Sequence, residues 1–162
     1  MISFDLKSFS DLIESHQNIL VTSHFSPDGD AIGSSLGLSL YLKKMGKKVN
    51  VAVPNAFPDF LGWMKSSDEI LCYDKQQEEL EKIASEATLV FILDYNNLSR
   101  IKDMANLFDL DRQKVILIDH HQQPDHFDLN VSDTSASSTC ELVAQMLLQY
   151  NPDLIDGDIA DC

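Results

Sequence analysis

Three apolar runs in this chain each end on an acidic residue or a histidine. They are residues 18–23 before His24, residues 89–93 before Asp94, and residues 115–118 before Asp119, His120 and His121. The carboxyl ends of parallel strands meet along one edge of a sheet, where open α/β folds place their ligand sites. The sequence therefore predicts that these polar residues converge in one crevice.

The segments between the apolar runs are amphipathic, and this alternation is typical of βαβ units. We predict an α/β fold, a parallel β-sheet with helices on both faces. Strands are expected at residues 18–23, 48–53, 89–94 and 114–119, with a weaker one at 69–72. Helices are expected at residues 6–15, 31–45, 76–85, 99–108 and 139–150.

Two helix ends carry clear signals. Gly46 suits the left-handed conformation that closes a helix. Ser138 stands three residues before Glu141, which is the spacing of a capping box. This spacing predicts that a helix starts at Thr139.

The residues after the apolar runs have the chemistry of metal ligands. Carboxylates and neutral imidazoles in one crevice repel one another or stay unpaired unless cations bind there, so this donor set favours a two-metal hydrolytic centre. Single residues also have structural explanations: Asp30 resembles a helix N-cap, Asp28 a turn residue and Asp94 a loop residue. The combination of all the motifs favours the metal centre.

Two further features lie close to these motifs. Ser137, Ser138 and Thr139 offer hydroxyls and free amides at a helix start, which suits an anion site, although plain capping explains them equally well. Arg100 follows Asp94 closely enough to contact a phosphate. A lone arginine that opens a helix also fits a surface position.

The composition is that of one globular domain. The chain has 162 residues, of which 44% are hydrophobic and 23% charged. No run approaches the ~20 apolar residues of a membrane helix, and the N-terminus lacks a signal-peptide pattern, so we expect no membrane association. Three widely spaced cysteines suit reduced thiols and a cytoplasmic location.

The charge restricts the substrate. The formal net charge is −14, and the only arginines are Arg100 and Arg112. A protein that binds many phosphates of a long nucleic acid needs a basic surface. The charge therefore argues against a long duplex and favours a short anionic substrate that is held mainly by metal ions.

The motifs resemble those of a known family. His24-x-x-x-Asp28-x-Asp30, the strand-ending Asp94 and Asp119-His120-His121 are similar to the first three signature motifs of the DHH phosphoesterases. This superfamily includes RecJ-type exonucleases, family II inorganic pyrophosphatases and nanoRNase/pAp phosphatases. Residues 21–34 and 136–142 look most like the nanoRNase/pAp phosphatase branch.

The resemblance implies a role for each motif residue. The metal ligands would be His24 and Asp28 for a first ion, Asp30 and His120 for a second, and Asp94 as the bridge between them. Asp94 would thereby take part in catalysis. His121 would be a catalytic residue that faces the substrate, and Asp119 would accept a hydrogen bond from an imidazole, the support that metal-binding histidines usually have.

The resemblance also implies the cofactor and the reaction. Two Mn²⁺ ions would fill a complete site, because mixed carboxylate and imidazole ligands suit Mn²⁺ better than the alternative, Mg²⁺. The substrates would be short oligoribonucleotides and 3′-phosphoadenosine 5′-phosphate (pAp), and the protein could form a homodimer. Pyrophosphate, cyclic dinucleotides or longer single strands are open alternatives, as is a nucleotide-binding module without turnover.

Residues 156–162 resemble the first turn of a further helix. Members of the nanoRNase/pAp phosphatase branch carry a fourth metal-binding aspartate beyond such a helix, and a second, substrate-binding domain. We therefore expect residues 1–162 to be a truncated DHH catalytic domain, without its last metal-ligand strand and without that second domain. Such a chain should fold but be inactive alone.

Overall fold

Six parallel strands form a single sheet in the computed structural model, which describes residues 2–162. The strands are β1 (Asn18–Ser23), β2 (Lys48–Val53), β3 (Leu71–Cys72), β4 (Leu89–Leu93), β5 (Lys114–Asp119) and β6 (Leu129–Ser132). The α-helices are α1 (Leu6–Ser15), α2 (Gly29–Lys44), α3 (Gln77–Glu86), α4 (Thr139–Tyr150) and α5 (Gly157–Ala160). Short 3-10 segments lie at Asp59–Leu61, Ser67–Glu69, Leu98–Leu107 and Pro152–Leu154.

The strand order places β1 and β4 at the centre of the sheet. The order is β3-β2-β1-β4-β5-β6, so the chain runs outward from β1 through β2 to β3 and then returns to β4 on the other side of β1. Ser23 of β1 lies beside Leu93 of β4 in the parallel register. An α/β sheet forms its ligand crevice where the strand order reverses. This point lies between the carboxyl ends of β1 and β4.

Helices cover both faces of the sheet, as the sequence predicts. Along β4, Leu89, Phe91 and Leu93 pack in one core with residues of α1, α2 and α4. The alternating residues Val90 and Ile92 pack in a second core with α3 and the Leu98–Leu107 segment. Burial on both sides explains why the central strands are continuous apolar runs rather than alternating ones. No helix within residues 2–162 is both long enough and apolar enough to cross a membrane.

Most predicted elements are present within one or two residues of their expected ends. Gly46 adopts the left-handed conformation (φ 80°) expected of a helix terminator. The Ser138 side chain accepts a hydrogen bond from the Glu141 amide and caps α4 as predicted.

Two predictions of secondary structure were wrong. The strand β6 was missed, because four residues between turn-forming segments carry little periodic signal. The expected α-helix over 99–108 is a 3-10 segment that is broken at Lys102, where φ is 50° and ψ is −132°.

A buried hydrogen-bond chain ties β4 to β1 directly beneath the crevice. The Tyr95 hydroxyl lies 2.8 Å from the Thr22 hydroxyl, which donates to the Phe91 carbonyl at 2.9 Å. Since a carbonyl only accepts, Tyr95 must donate to Thr22. Tyr95 is 1% exposed and follows Asp94, so this chain fixes the start of the loop that carries Asp94.

We expect Tyr95→Phe to lower the free energy of unfolding by ~1 kcal/mol, because it removes one buried hydrogen bond without leaving a donor unpaired. Urea unfolding followed by circular dichroism would measure the loss. Tyr73→Phe is the matched control, since the partly buried Tyr73 takes no part in the hydrogen bonds between Tyr95, Thr22 and Phe91. Equal stability of Tyr95→Phe and the wild type would show that the hydrogen bond contributes nothing.

Candidate metal centre

The loops after β1, β4 and β5 bring the predicted residues together around one carboxylate. Asp94 is 2% exposed. Its Oδ2 lies 3.4 Å from His24 Nε2, and its Oδ1 lies 3.5 Å from His120 Nε2. Donor atoms of His24, Asp28 and Asp94 form one compact group, and those of Asp94, His120 and His121 form a second. The two groups share Asp94.

The backbone fixes the position of this shared carboxylate. The Asp94 amide continues the sheet by donating to the Ile118 carbonyl at 3.1 Å. The residue then turns with a φ of 63°, a left-handed conformation that is uncommon for residues other than glycine. The Thr139 hydroxyl at the start of α4 donates to Asp94 Oδ1 at 3.0 Å.

The arrangement of His24 fits a cation. Its Nδ1 lies 2.9 Å from the Phe25 carbonyl, which only accepts, so Nδ1 carries a proton. In the neutral ring the Nε2 lone pair then faces the Asp94 carboxylate at 3.4 Å. Two acceptors at this distance repel unless a proton or a metal ion lies between them, and a neutral imidazole nitrogen beside a carboxylate is a usual donor pair for a divalent metal.

Asp28 takes part in both the cap of α2 and the candidate centre. Its Oδ1 accepts hydrogen bonds from the amides of Asp30 and Ala31 at 3.0 and 3.1 Å and caps α2. Asp28, rather than Asp30, is therefore the N-cap, and α2 begins at Gly29. The capping role does not remove Asp28 from the candidate centre, because its carboxylate still belongs to the group with His24 and Asp94.

Asp30 is held by the start of α4. Its two carboxylate oxygens accept hydrogen bonds from the amides of Thr139 and Cys140, both at 2.7 Å. A helix N-terminus is a favourable place for an anion, and here the anion is a side chain of the protein itself. Asp30 Oδ2 also lies 3.7 Å from His120 Nε2, which places it at the side of the centre where His120 lies.

Ser137 and Ser138 take part in capping contacts. The Ser138 hydroxyl accepts from the Glu141 amide at 3.0 Å. The amide and the hydroxyl of Ser137 donate to the Glu141 carboxylate at 2.8 and 2.7 Å. These contacts favour the alternative of plain capping over the predicted anion site, and the next free amides of the helix are already bound to Asp30.

Asp119 supports His121. Asp119 is fully buried at the end of β5, and its Oδ1 lies 2.6 Å from His121 Nδ1. The proton between them fixes the ring and leaves Nε2 as the second functional nitrogen of His121. The other carboxylate oxygen, Asp119 Oδ2, is buried with no hydrogen-bond partner within residues 2–162.

Arg100 lies outside both donor groups. Its side chain is exposed, and its carbonyl accepts a hydrogen bond from the Phe25 amide at 2.9 Å. This bond joins the segment after β4 to the loop that carries His24. Arg100 is therefore at the rim of the crevice rather than in its interior.

The electrostatics of the centre reflect an excess of negative charge. The nearby Asp94 carboxylate raises the pKa of His24 by favouring the protonated ring. Burial raises the pKa of Asp94 itself, because desolvation penalises the carboxylate. Both shifts have the same origin, a buried anion without a compensating cation.

The sequence analysis placed Thr139 only in a possible anion site and missed Cys140 as part of this centre. Thr139 contacts both Asp94 and Asp30, and the Cys140 amide contacts Asp30. The capping signal at Ser138 predicts where α4 starts, but no local pattern shows which side chain lies opposite that start. Burial raises the pKa of the Cys140 thiol, so it stays protonated at neutral pH and contributes through its backbone.

Comparison with known proteins identifies the family. The model of the DHH family N-terminal domain matches residues 18–162. The chain belongs to the DHH family.

Two curated relatives share the DHH domain. A probable bifunctional oligoribonuclease and PAP phosphatase NrnA of Streptococcus mutans is 32% identical over 145 residues, covering 89% of this chain and 43% of the relative. The bifunctional oligoribonuclease and PAP phosphatase NrnA of Thermus thermophilus is 37% identical over 131 residues, covering 80% of this chain and 36% of the relative. The chain thus spans less than half the length of these relatives.

A solved structure has the same fold. An exopolyphosphatase-related protein from Bacteroides fragilis superposes with a TM-score of 0.93 at 42% sequence identity. The match covers 97% of this chain and 47% of that protein.

We expect Mn²⁺ to compete with a proton on His24. Because Asp94 raises the pKa of His24, proton release on Mn²⁺ binding should persist above pH 6.5, the ordinary pKa of histidine. Without metal, the proton on His24 stabilises the fold instead of competing with a ligand. The His24–Asp94 pair stabilises the fold fully below pH ~6.5, and this contribution is lost as the pH rises through the raised pKa.

Titration calorimetry in two buffers of different ionisation enthalpy would count the protons that Mn²⁺ releases at pH 6.0, 7.0 and 8.5. His24→Ala should release fewer protons than the wild type at pH 7.0. His16→Ala is the control, because His16 lies beside Thr88 and away from the centre. An unchanged proton count in His24→Ala would contradict the competition.

Proposed function

We propose that the whole protein in which these residues form the DHH catalytic domain, and on which the kinetic tests below are made, is a metal-dependent phosphoesterase that hydrolyses short oligoribonucleotides and pAp. The observation that carries the proposal is the buried Asp94 carboxylate, which is shared by two groups of metal-ligand atoms. The names of the S. mutans and T. thermophilus relatives, both oligoribonuclease and PAP phosphatase, support this choice of substrates. The chain covers less than half of those relatives, so the activity of a whole protein is part of the proposal.

The proposed ligands divide between two divalent cations. One ion would be held by His24, Asp28 and Asp94, and the other by Asp30, Asp94 and His120. The ions would supply Lewis-acid charge at the phosphoryl oxygens and a more acidic water molecule. Asp94 contributes one oxygen toward each side, and its position is fixed by the sheet and by Thr139.

Mn²⁺ is the proposed cofactor, with Mg²⁺ as the alternative. The candidate ligands combine carboxylate oxygens with imidazole nitrogens, and this mixture suits Mn²⁺ better than the all-oxygen shell that Mg²⁺ prefers. The tautomer of His24 supports the assignment, because its hydrogen bond to the Phe25 carbonyl leaves Nε2 free for a metal.

His121 is proposed to act on the substrate. Asp119 holds His121 Nδ1 at 2.6 Å, so the ring is oriented and its Nε2 is free to hold a proton for the oxygen that leaves phosphorus. The buried Asp119 carboxylate would balance the positive charge of the ring when Nε2 is protonated. His121 Nδ1 lies within 3.8 Å of Asp94 Oδ1, which keeps the ring beside the centre.

One experiment distinguishes the proposed substrates from the alternative substrates and from a nucleotide-binding module without turnover. Hydrolysis of pAp, a diribonucleotide, pyrophosphate, a cyclic dinucleotide and a longer single strand would be measured with Mn²⁺ and with Mg²⁺. We expect pAp and the diribonucleotide to be the best substrates, since the net charge of −14 disfavours long polyanions. Binding of pAp without hydrolysis would support a nucleotide-binding module instead.

We expect Asp94→Asn to lower the rate of hydrolysis of pAp by at least ~10³-fold, which is comparable to removal of a major electrostatic element from an active site. The substitution keeps the size of the side chain but removes the negative charge that both groups of ligands share. Asp111→Asn is the control, because Asp111 is exposed in the loop before β5. Unchanged turnover of Asp94→Asn at saturating metal would refute the bridging role.

We expect His120→Ala and His121→Ala to have different effects on metal binding and on turnover. His120→Ala should weaken Mn²⁺ binding, whereas His121→Ala should lower kcat with nearly unchanged Mn²⁺ affinity, because the Nδ1 of His121 is bound to Asp119. Calorimetric titration with Mn²⁺ and steady-state kinetics would separate the two effects. His126→Ala, an exposed histidine outside the motifs, is the control. Equal loss of metal in both variants would contradict the division of roles.

A further inference from the structure

Two cations at the rim of the crevice have no acidic partner. Five lysine and arginine side chains form ion pairs: Lys7, Lys43, Lys44, Arg112 and Lys114. Arg100 and Lys102 follow Asp94 on the same segment and are exposed. Among residues 2–162, no carboxylate lies within the 4.0 Å ion-pair distance of either one. Seven of the 12 lysine and arginine side chains form no such ion pair among the described residues, and Arg100 and Lys102 are the two of these on the segment between β4 and β5.

Lys102 contacts the loop that carries His24. Its Nζ lies 3.2 Å from the centre of the Phe25 ring, a cation–π contact. Phe25 directly follows the proposed ligand His24, whose Nδ1 is bound to the Phe25 carbonyl. The Phe25 amide in turn donates to the Arg100 carbonyl. The Lys102 ammonium is therefore held next to the loop of a metal ligand.

This position requires an unfavourable backbone. Lys102 has a φ of 50° and a ψ of −132°, which is the first central position of a type II′ turn and favours glycine. The side chain is exposed, so burial of a core residue does not explain the conformation. Strained residues persist where the surrounding structure holds them, and they cluster at ligand-binding sites.

We propose that Lys102, held over Phe25, binds a second phosphate of the nucleotide substrate, the one that is not hydrolysed. The inference rests on the proposed function and adds the group that selects among substrates. The metal ions would neutralise the reacting phosphate. A second phosphate of a substrate bound at this carboxylate-rich centre would need a cation, and Lys102 forms no ion pair with a carboxylate among residues 2–162.

The proposal defines a substrate class. Preferred substrates carry one phosphate on the 5′ side and one on the 3′ side of the same nucleoside, as in pAp or a 5′-phosphorylated dinucleotide. 3′-AMP has the same 3′-phosphate as pAp but lacks the phosphate on the 5′ side. The comparison of pAp with 3′-AMP therefore isolates the contribution of the second phosphate.

The test measures the ratio of kcat/KM for pAp to kcat/KM for 3′-AMP, with Mn²⁺ saturating. We expect this ratio to fall about 10-fold in Lys102→Ala and in Lys102→Gly, the loss typical of a hydrogen bond to a charged group. Lys102→Gly also relieves the positive φ, so it should melt at or above the temperature of the wild type. Lys82→Ala, the same charge change on the exposed surface of α3, should keep the wild-type ratio.

Binding supplies a readout that does not depend on turnover. The Kd of 5′-AMP, which carries only the second phosphate, should rise about 10-fold in Lys102→Ala, and the difference should shrink at high salt. Unchanged ratios and unchanged 5′-AMP binding in a folded Lys102→Gly would overturn the role of Lys102. A wild type that hydrolyses pAp and 3′-AMP equally well would also overturn it and leave the proposed function intact. A wild type that neither binds nor hydrolyses these nucleotides would overturn both.

Discussion

A carboxylate buried at the end of a central strand is the constraint around which this domain is organised. Asp94 is almost fully removed from water, and a buried charge is costly unless other groups compensate it. The fold supplies His24 from β1, His120 from the loop after β5 and the Thr139 hydroxyl from α4. None of these carries a permanent positive charge. The raised pKa values of Asp94 and His24 are the electrostatic consequence, and the proposed cation would compensate the buried charge.

The last long helix completes the centre through its backbone. Asp30 lies in the first turn of α2, and both of its oxygens are bound by amides at the start of α4. One carboxylate thus joins two helices that also pack on the same face of the sheet. The amides at the positive end of the α4 dipole thus face the Asp30 carboxylate, a proposed metal ligand. A lysine or arginine side chain at that place would oppose the proposed cation.

The sequence predicts the fold well because the strongest signals are local. Runs such as 89–93 are apolar on both faces, which only a strand covered by helices explains, and Gly46 and Ser138 mark helix ends through short-range chemistry. His24, Asp94 and His120 were expected to lie close together because the carboxyl ends of parallel strands meet at one edge of a sheet. The expected hydrogen bond from an imidazole to Asp119 is present, from His121. The contacts of Asp30 with α4 depend on side-chain placement, which no spacing encodes. The strand β6 was missed because it is a short strand at the edge of the sheet, and its four residues carry little periodic signal.

Backbone strain in this domain is concentrated in the segments that follow β1, β4 and β5. Within residues 2–162, the non-glycine residues with positive φ in these segments are Ser26, Asp94, Lys102 and Gln123, and a fifth, Ser66, lies apart in the connection between β2 and β3. Each such residue costs ~1–3 kcal/mol, which the surrounding structure must offset. The loops are joined by hydrogen bonds that provide this support.

Asn55 accepts from the Ser26 amide at 2.7 Å, and Asn96 donates to the Gln122 carbonyl at 2.9 Å, next to Gln123. Outside these segments, the described residues with positive φ are Gly46, where the conformation is favourable, and Ser66, whose hydroxyl donates to the Glu69 carboxylate at 2.7 Å. Stability is therefore concentrated in the sheet and its two cores, and part of it is used to hold functional side chains in positions that the backbone alone would not adopt.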